Sequence, residues 1–312
     1  MLHGGAIHGF RPDAIRIALY RPFSKRWLYF DRAFNDMIYQ QLRLFPRPDA
    51  ENKVIILQAP GDNRNFTCLV TDELPDLHVV GTTQCFPLYV YDGEDGDVEV
   101  QVALDLIAPK DYAITDETLR AFQEQYGDTS ITKEDIFYYV YGVLHASDYR
   151  ERFASDLRRE LPRIPFASDF WAFSQAGRKL AELHIGYEKV DPFPLEESIS
   201  SNAPEDPWER YRVKKMRFAR DKRDLVVNEW ITLRGIPEEA FHYQVNGRSP
   251  IEWIVEQYQI KRDRASGIVN DPNAWARETA QDPRYIVDLV KRAVRVAVET
   301  LKVIRQLPPA LE

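Results

Sequence analysis

The first 110 residues are punctuated too often to hold long helices. Turn-forming groups at 46–49, at Pro60-Gly61-Asp62-Asn63, at Gly81 and at Asp92-Gly93 leave only short runs between them. Those runs are alternating, β-branched or aromatic at 15–20, 27–30, 54–57, 66–71, 77–80, 88–91 and 98–104. Short strands without intervening helices predict a mixed or antiparallel sheet rather than βαβ units.

The pattern then changes. Thr132 followed by Asp135 resembles a capping box with Asp in place of Glu, and it opens a helix over 133–146. Ile136, Tyr139, Val140, Val143 and Leu144 form its apolar stripe. Ser147 is placed to cap a helix over 148–161, which Pro162 and Pro165 stop, and Ser168 to cap another over 169–184. After a polar stretch at 188–207, residues 211–218 alternate and 225–233 are β-branched and aromatic, as in two strands of a hairpin or meander. Short helices are expected over 250–260 and 273–279. Ile286, Leu289, Val290, Ala293, Val294, Ala297 and Leu301 trace one stripe of a long terminal helix. The expected fold is α+β: an N-terminal mixed/antiparallel sheet, a helical middle, a second short sheet and C-terminal helices. Residues 1–130 are expected to form a β-rich recognition subdomain. Residues 131–312 are expected to form a helical one with a short β hairpin near 210–233.

The charge is unevenly placed. The 312 residues carry a net charge of −8, yet 92–135 alone holds 13 acidic and 3 basic residues. In 208–224, by contrast, 8 bases meet 3 acids, a local +5. An acidic total disfavours tight, unaided binding to a polyanion, whereas a local patch still docks on phosphate. Two cysteines, Cys68 and Cys85, cannot make a disulfide framework or a four-thiolate zinc site, so a reducing cytoplasm is the expected compartment. No run reaches the roughly 18 apolar residues of a membrane span, and 1–11 lacks the zones of a signal peptide.

Several chemistries lack their motifs. There is no G-x-x-x-x-G-K-[ST], no G-x-G-x-x-G, no Asn-Pro-Pro-Tyr or Asp-Pro-Pro-Tyr, and no G-x-S-x-G. The six histidines show no metal-binding spacing, and His145 and His184 fall at helix ends, where a satisfied polar contact is expected. Pro48-Asp49 and Glu51-Asn52-Lys53 carry the letters of a Mg²⁺-dependent nuclease, but they stand too close together for its geometry. No catalytic residue, metal site or cofactor is expected in this chain, and a stand-alone hydrolase is the weakest reading.

Three stretches mix cations with flat or amide side chains. In 20–27, Arg21, Lys25 and Arg26 could reach phosphates; solvated cations on a strand edge are the competing reading. In 62–65, Asn63, Arg64 and Asn65 are of types that read adenine and guanine in the major groove; a plain polar turn competes. In 210–223, Arg212, Lys214 and Arg217 are expected on a strand, against a solvated sheet face. Thr83 and Gln84 add uncharged hydrogen-bonding groups beside Gly81.

The order of several segments resembles a known family. Tyr20-Arg21-Pro22-Phe23 with 26–30 (RWLYF) is similar to the stretch that follows the catalytic domain in many adenine-N6 DNA methyltransferases. The segments at 74–78 (LPDLH), 84–89 (QCFPLY), 135–145 (DIFYYVYGVLH), 149–153 (YRERF), 161–165 (LPRIP), 245–250 (VNGRSP) and 266–273 (SGIVNDPN) resemble the C-terminal target-recognition (specificity) domain of type ISP restriction-modification enzymes. These are single-chain, type I-like, ATP-dependent enzymes. The resemblance implies a domain that reads a short double-stranded DNA target for an adjoining methyltransferase, helicase-like ATPase and nuclease. S-adenosylmethionine, ATP and Mg²⁺ would then belong only to those adjoining domains. The alternative is a docking module of the same assembly that reads no bases; the terminal helix would be its contact surface.

Overall fold

The computed structural model describes residues 9–62, 64–91 and 110–311. Along the chain run β1 (Ile15–Arg21), β2 (Ser24–Tyr29), α1 (Gln41–Leu44), β3 (Val54–Gln58), β4 (Cys68–Thr71), β5 (Leu74–Pro75), β6 (Thr83–Pro87), β7 (Tyr89–Tyr91) and β8 (Lys110–Tyr112). The helices α2 (Asp116–Tyr126), α3 (Lys133–Val143), α4 (Ser147–Arg152) and α5 (Phe170–Ile185) follow. Then come β9 (Glu196–Ile199), α6 (Pro207–Arg210), β10 (Arg217–Phe218), β11 (Leu225–Val226) and β12 (Ile231–Arg234). The chain continues through α7 (Pro250–Gln257), β13 (Lys261–Arg262), β14 (Val269–Asn270), α8 (Pro272–Trp275) and α9 (Tyr285–Arg305).

The fold is α+β, and its N-terminal strands are divided between small sheets. β1 pairs antiparallel with β2 and parallel with β5, while β4, β3 and β6 form an antiparallel sheet. A second sheet, in the order β10-β11-β12-β9, lies in the C-terminal half. Successive side chains of a strand point to opposite faces, and β3 is buried along its whole length. Val54 and Ile56 join a core with Leu289 and Val294 of α9, whereas Ile55 and Leu57 join a second core with Tyr139 of α3 and Phe173 of α5. Both cores therefore draw on residues from either side of position 130.

Helices α3 and α5 cross with their backbones nearly touching. A Cβ on Gly177 would overlap the Tyr138 carbonyl, and one on Gly142 would overlap the Phe173 carbonyl. Beside this crossing, Tyr141 Oη lies 2.6 Å from His184 Nδ1, and His184 Nε2 lies 2.9 Å from Thr300 Oγ1. His145 Nδ1 is 2.9 Å from the Tyr141 carbonyl. Both histidines thus have the polar contacts expected of them, and both are buried.

The capping box of Thr132 and Asp135 forms as read. Several other expectations are corrected. Residues 77–80 make a turn rather than a strand, because the Asp76 carboxylate accepts from His78 N and folds the chain back. Ser147 does not cap α4, whose N-cap is Ala146, and Asp169 rather than Ser168 caps α5, accepting from Ala172 N. The helix expected to reach 161 ends at Arg152, with a separate 3-10 turn at Asp156–Arg158. Tyr149 and Leu157 are both buried; on one straight helix, eight residues would set them about 80° apart. Residues 211–216 are irregular, since Asn228 donates to the carbonyls of Arg210 and Arg212 and occupies acceptors a strand partner would need. The expected strand at 98–104 lies outside the described residues.

Among the elements that went unread are α2 and β9. α2 has few apolar residues and buries only Phe122 from its own length, but Thr115 caps it and Gly127 at φ 61° ends it. β9 is polar; it pairs with β12 in the register Glu197↔Leu233. No described helix is long and apolar enough to cross a membrane.

Candidate nucleic-acid interface

The β1–β2 hairpin turns through Pro22 and Phe23. Phe23 takes φ 58°, a strained value for a residue with a Cβ, and is held by burial of its ring edge-on to Tyr187 at 5.5 Å. The turn presents Arg21, which lies over the Tyr20 ring at 4.0 Å and donates from Nη1 to Asp76 Oδ1 at 2.9 Å. Lys25 is clamped between Glu188, at 3.1 Å, and Glu73, at 3.3 Å. Burial opposes its charge, but the two carboxylates outweigh that and hold the ammonium above its usual range. Lys25 thus has its charge satisfied within the protein. Arg26 has no carboxylate partner among the described residues and stands 6.0 Å from the Tyr20 ring.

In the 61–65 loop, Arg64 Nε donates to Asp62 Oδ1 at 2.8 Å and Nη2 bonds the other carboxylate oxygen. The Arg64 bond holds the Asp62 carboxyl below its usual range. Asn65 Oδ1 accepts from Arg158 Nη2 at 2.9 Å. Asn63 lies outside the described residues. Thr83 is buried in β6 opposite Gln58, and Gln84 is half-buried opposite Leu57. The 76–83 turn links Arg21 with Arg64. Asp76 takes Arg21 at one end, and at the other the Arg64 guanidinium occupies the space above Gly81 where a side chain would lie. Only a glycine fits there, at φ 107°.

Arg212 and Lys214 are not on a strand; Arg217 alone of the three is, in β10. Arg212 Nη2 meets Asp271 at 3.1 Å and Lys214 Nζ meets Glu229 at 3.6 Å. Asn273 brackets the intervening residue, accepting from Val213 N at 2.9 Å and donating to Val213 O at 2.8 Å. Arg217 is exposed and, with Lys215, Arg220 and Arg223, has no carboxylate partner among the described residues. The α8 segment also reaches β2: Trp275 faces Trp27 at 5.8 Å, and Trp27 Nε1 donates to Thr279 Oγ1 at 3.0 Å. Residues 271–279 therefore hold β2 on one side and the 212–214 segment on the other. Trp275 and Arg277, which lies 5.1 Å over Trp208, were missed in the sequence. Their only signal was the neighbourhood of aromatic and cationic residues. No group of three metal-ligating side chains is found among the described residues.

Residues 2–289 match the family model of the Type ISP C-terminal specificity domain. The chain belongs to that family. As a specificity domain it is similar to part of three solved structures. The first is a nuclease-deletion mutant of the Type ISP restriction-modification enzyme LlaGI in complex with a DNA substrate mimic: 34% identity, TM-score 0.80, 97% of this chain and 25% of that one. The second is the ATP-dependent Type ISP enzyme LlaBIII bound to DNA: 33% identity, TM-score 0.84, 97% of this chain and 19% of that one. The third is a DrdV–DNA complex: 34% identity, TM-score 0.81, 98% of this chain and 29% of that one. The specificity domain thus spans less than a third of each relative. No curated protein matches it.

Proposed function

We propose that this specificity domain recognises a short double-stranded DNA target on behalf of a larger restriction-modification assembly. One observation carries the reading: three relatives that share almost the whole fold at about one-third identity are complexes with DNA. The cations of β2 and of 212–217, joined through 271–279, supply a surface suited to phosphate, with Arg26, Lys215, Arg217 and Arg277 left without carboxylate partners among the described residues. Phosphate contacts would position the duplex, and Arg and amide side chains at base edges would read it. Methylation of adenine, ATP-driven movement and cleavage would belong to adjoining methyltransferase, helicase-like and nuclease parts, with their S-adenosylmethionine, ATP and Mg²⁺. Such a reader would work in the cytoplasm.

The test is a duplex-binding titration of the 312-residue chain across salt concentrations, with selection from a random-sequence pool. Binding should weaken linearly on a log–log plot, by about 0.9 per phosphate contact, and the pool should converge on a common sequence. Affinity that ignores salt, or a pool that stays random, would remove the reading.

The docking alternative loses its first support. Of the α9 stripe, Ile286, Leu289, Val290, Ala293, Val294 and Ala297 are buried in the protein's own core. What favours a protein contact instead is a set of exposed apolar side chains: Phe10 and Phe34, packed on Tyr29, and the pair Met37 and Tyr39.

A further inference from the structure

Every residue of the ribbon 261–270 is exposed. Ile268 and Val269 are 61% and 55% exposed, so folding gains little from either side chain. The ribbon is nonetheless well ordered from within. Asp263 Oδ1 accepts from Ala265 N at 3.1 Å, Ser266 N at 2.7 Å and Ser266 Oγ at 2.8 Å. Asp263 N donates to Ile268 O at 2.9 Å, and Gly267, at φ 72°, closes the tip by donating to Asp263 O at 3.0 Å. A tip already ordered costs less to immobilise on a partner.

Its chemistry is mixed in a useful way. Arg262 stands opposite Val269 and Lys261 opposite Asn270, so each face of the ribbon combines a cation with an apolar or amide group. Lys261 is paired with Glu256 at 2.8 Å, whereas Arg262 and Arg264 have no carboxylate partner among the described residues. The root of the ribbon joins the cationic segment already described. Ile260 N donates to Lys214 O at 2.9 Å, and the residue after Asn270 is the Asp271 that holds Arg212. The major groove, about 12 Å wide, admits a two-stranded ribbon. Thymine presents its C5-methyl group in the major groove, where exposed aliphatic side chains meet it.

We propose that the β13–β14 ribbon is a base-reading element that enters the major groove tip first, with Ile268 and Val269, on its opposite faces, against thymine methyl groups and Arg262 and Arg264 on the flanking phosphates. This rests on the duplex-recognition reading and adds to it the element that reads and the base feature it reads. The test uses the intact chain and the duplex it selects from a random pool, with a second copy in which uracil replaces thymine and so removes only the methyl groups. Ile268→Ala with Val269→Ala should weaken binding to the thymine duplex roughly tenfold. Uracil should weaken binding by the unaltered chain by a similar factor and cost the double variant little more, because both changes delete one contact. Arg262→Ala with Arg264→Ala should weaken binding to all sequences and reduce the salt slope by about 2. Unchanged thermal midpoints would show that these exposed changes leave the fold intact. If the apolar variant binds as the unaltered chain does, or if uracil affects both proteins equally, the ribbon inference is overturned while duplex recognition stands. If the unaltered chain selects no duplex, the recognition reading fails and the inference falls with it.

Discussion

Trp27 and Trp275 face each other across 5.8 Å with their planes tilted by 39°, although 248 positions separate them in the chain. This contact, with the Trp27–Thr279 hydrogen bond at 3.0 Å, joins the β1–β2 hairpin to the segment that positions Arg212. Trp27→Ala should cost about 1 kcal/mol of stability, as an exposed aromatic pair does. Duplex affinity should fall by more than that, because Arg26 and Arg212 lose their common support. Denaturant midpoints and binding titrations on the same variant separate the two effects; equal losses would show that the pair only stabilises.

Cations without partners should matter more than paired ones. Arg26→Ala and Arg217→Ala together should lower the salt slope of duplex binding by about 2. Arg64→Ala should change it little, since Arg64 is bonded to Asp62.

Asp271 neutralises Arg212 at 3.1 Å and also caps α8, accepting from Asn273 N. Asn caps as well as Asp does. Asp271→Asn should therefore keep the helix start and tighten duplex binding by up to about fivefold. Weaker binding by this variant would mean that Arg212 needs Asp271 for its position.

The α3–α5 crossing leaves no room for a methyl group at Gly177, which lies against the backbone of Tyr138. Gly177→Ala should destabilise the protein by about 3 kcal/mol or more, read from the urea midpoint, because backbone must move on both helices. A loss below about 1 kcal/mol would be incompatible with so close a crossing.

Acid should act in two windows. Burial, and secondarily Arg150, pushes His184 down to about 3 and His145 well below its usual 6.5. The unfolded chain takes up these protons from about pH 6.5 while the folded one refuses them. The stability of the neutral imidazoles is therefore present above pH 6.5 and lost as pH falls toward 3, about 3 kcal/mol by pH 4 from His184 alone. Burial raises the Glu197 pKa, but bonds from Arg284 and Lys291 outweigh this and bring it to about 2. Its contribution is present above pH 4.5 and lost between 4.5 and 2. Glu197→Gln should remove the second window and leave the first, as thermal melts from pH 7 to 2.5 would show.

The parts of the fold that could be read beforehand are those set by neighbours in the chain. The Thr132–Asp135 box and the stripe of α9 each repeat within a turn or two, so their signals lie inside a short window. α2 and β9 were missed because their residues are polar, and what stabilises β9 comes from elsewhere: Glu197 is held by Arg284 and Lys291, about ninety positions away. The candidate surface divides the same way. The cationic character of 20–27 and 210–223 was plain, but nothing local marked the ribbon or Trp275 as belonging beside them.

The sequence by itself determined the α+β class, the helical periods and an ordered series of segments that resembles one family. Only the tertiary structure decided which cations are available. Lys25, Arg64 and Arg212 were alike as letters to Arg26 and Arg217, yet they meet Glu188, Asp62 and Asp271. Helical and strand periods arise from backbone geometry within a few residues. An ion pair instead depends on whichever carboxylate folding brings within reach, and for Arg212 that carboxylate lies 59 positions further on.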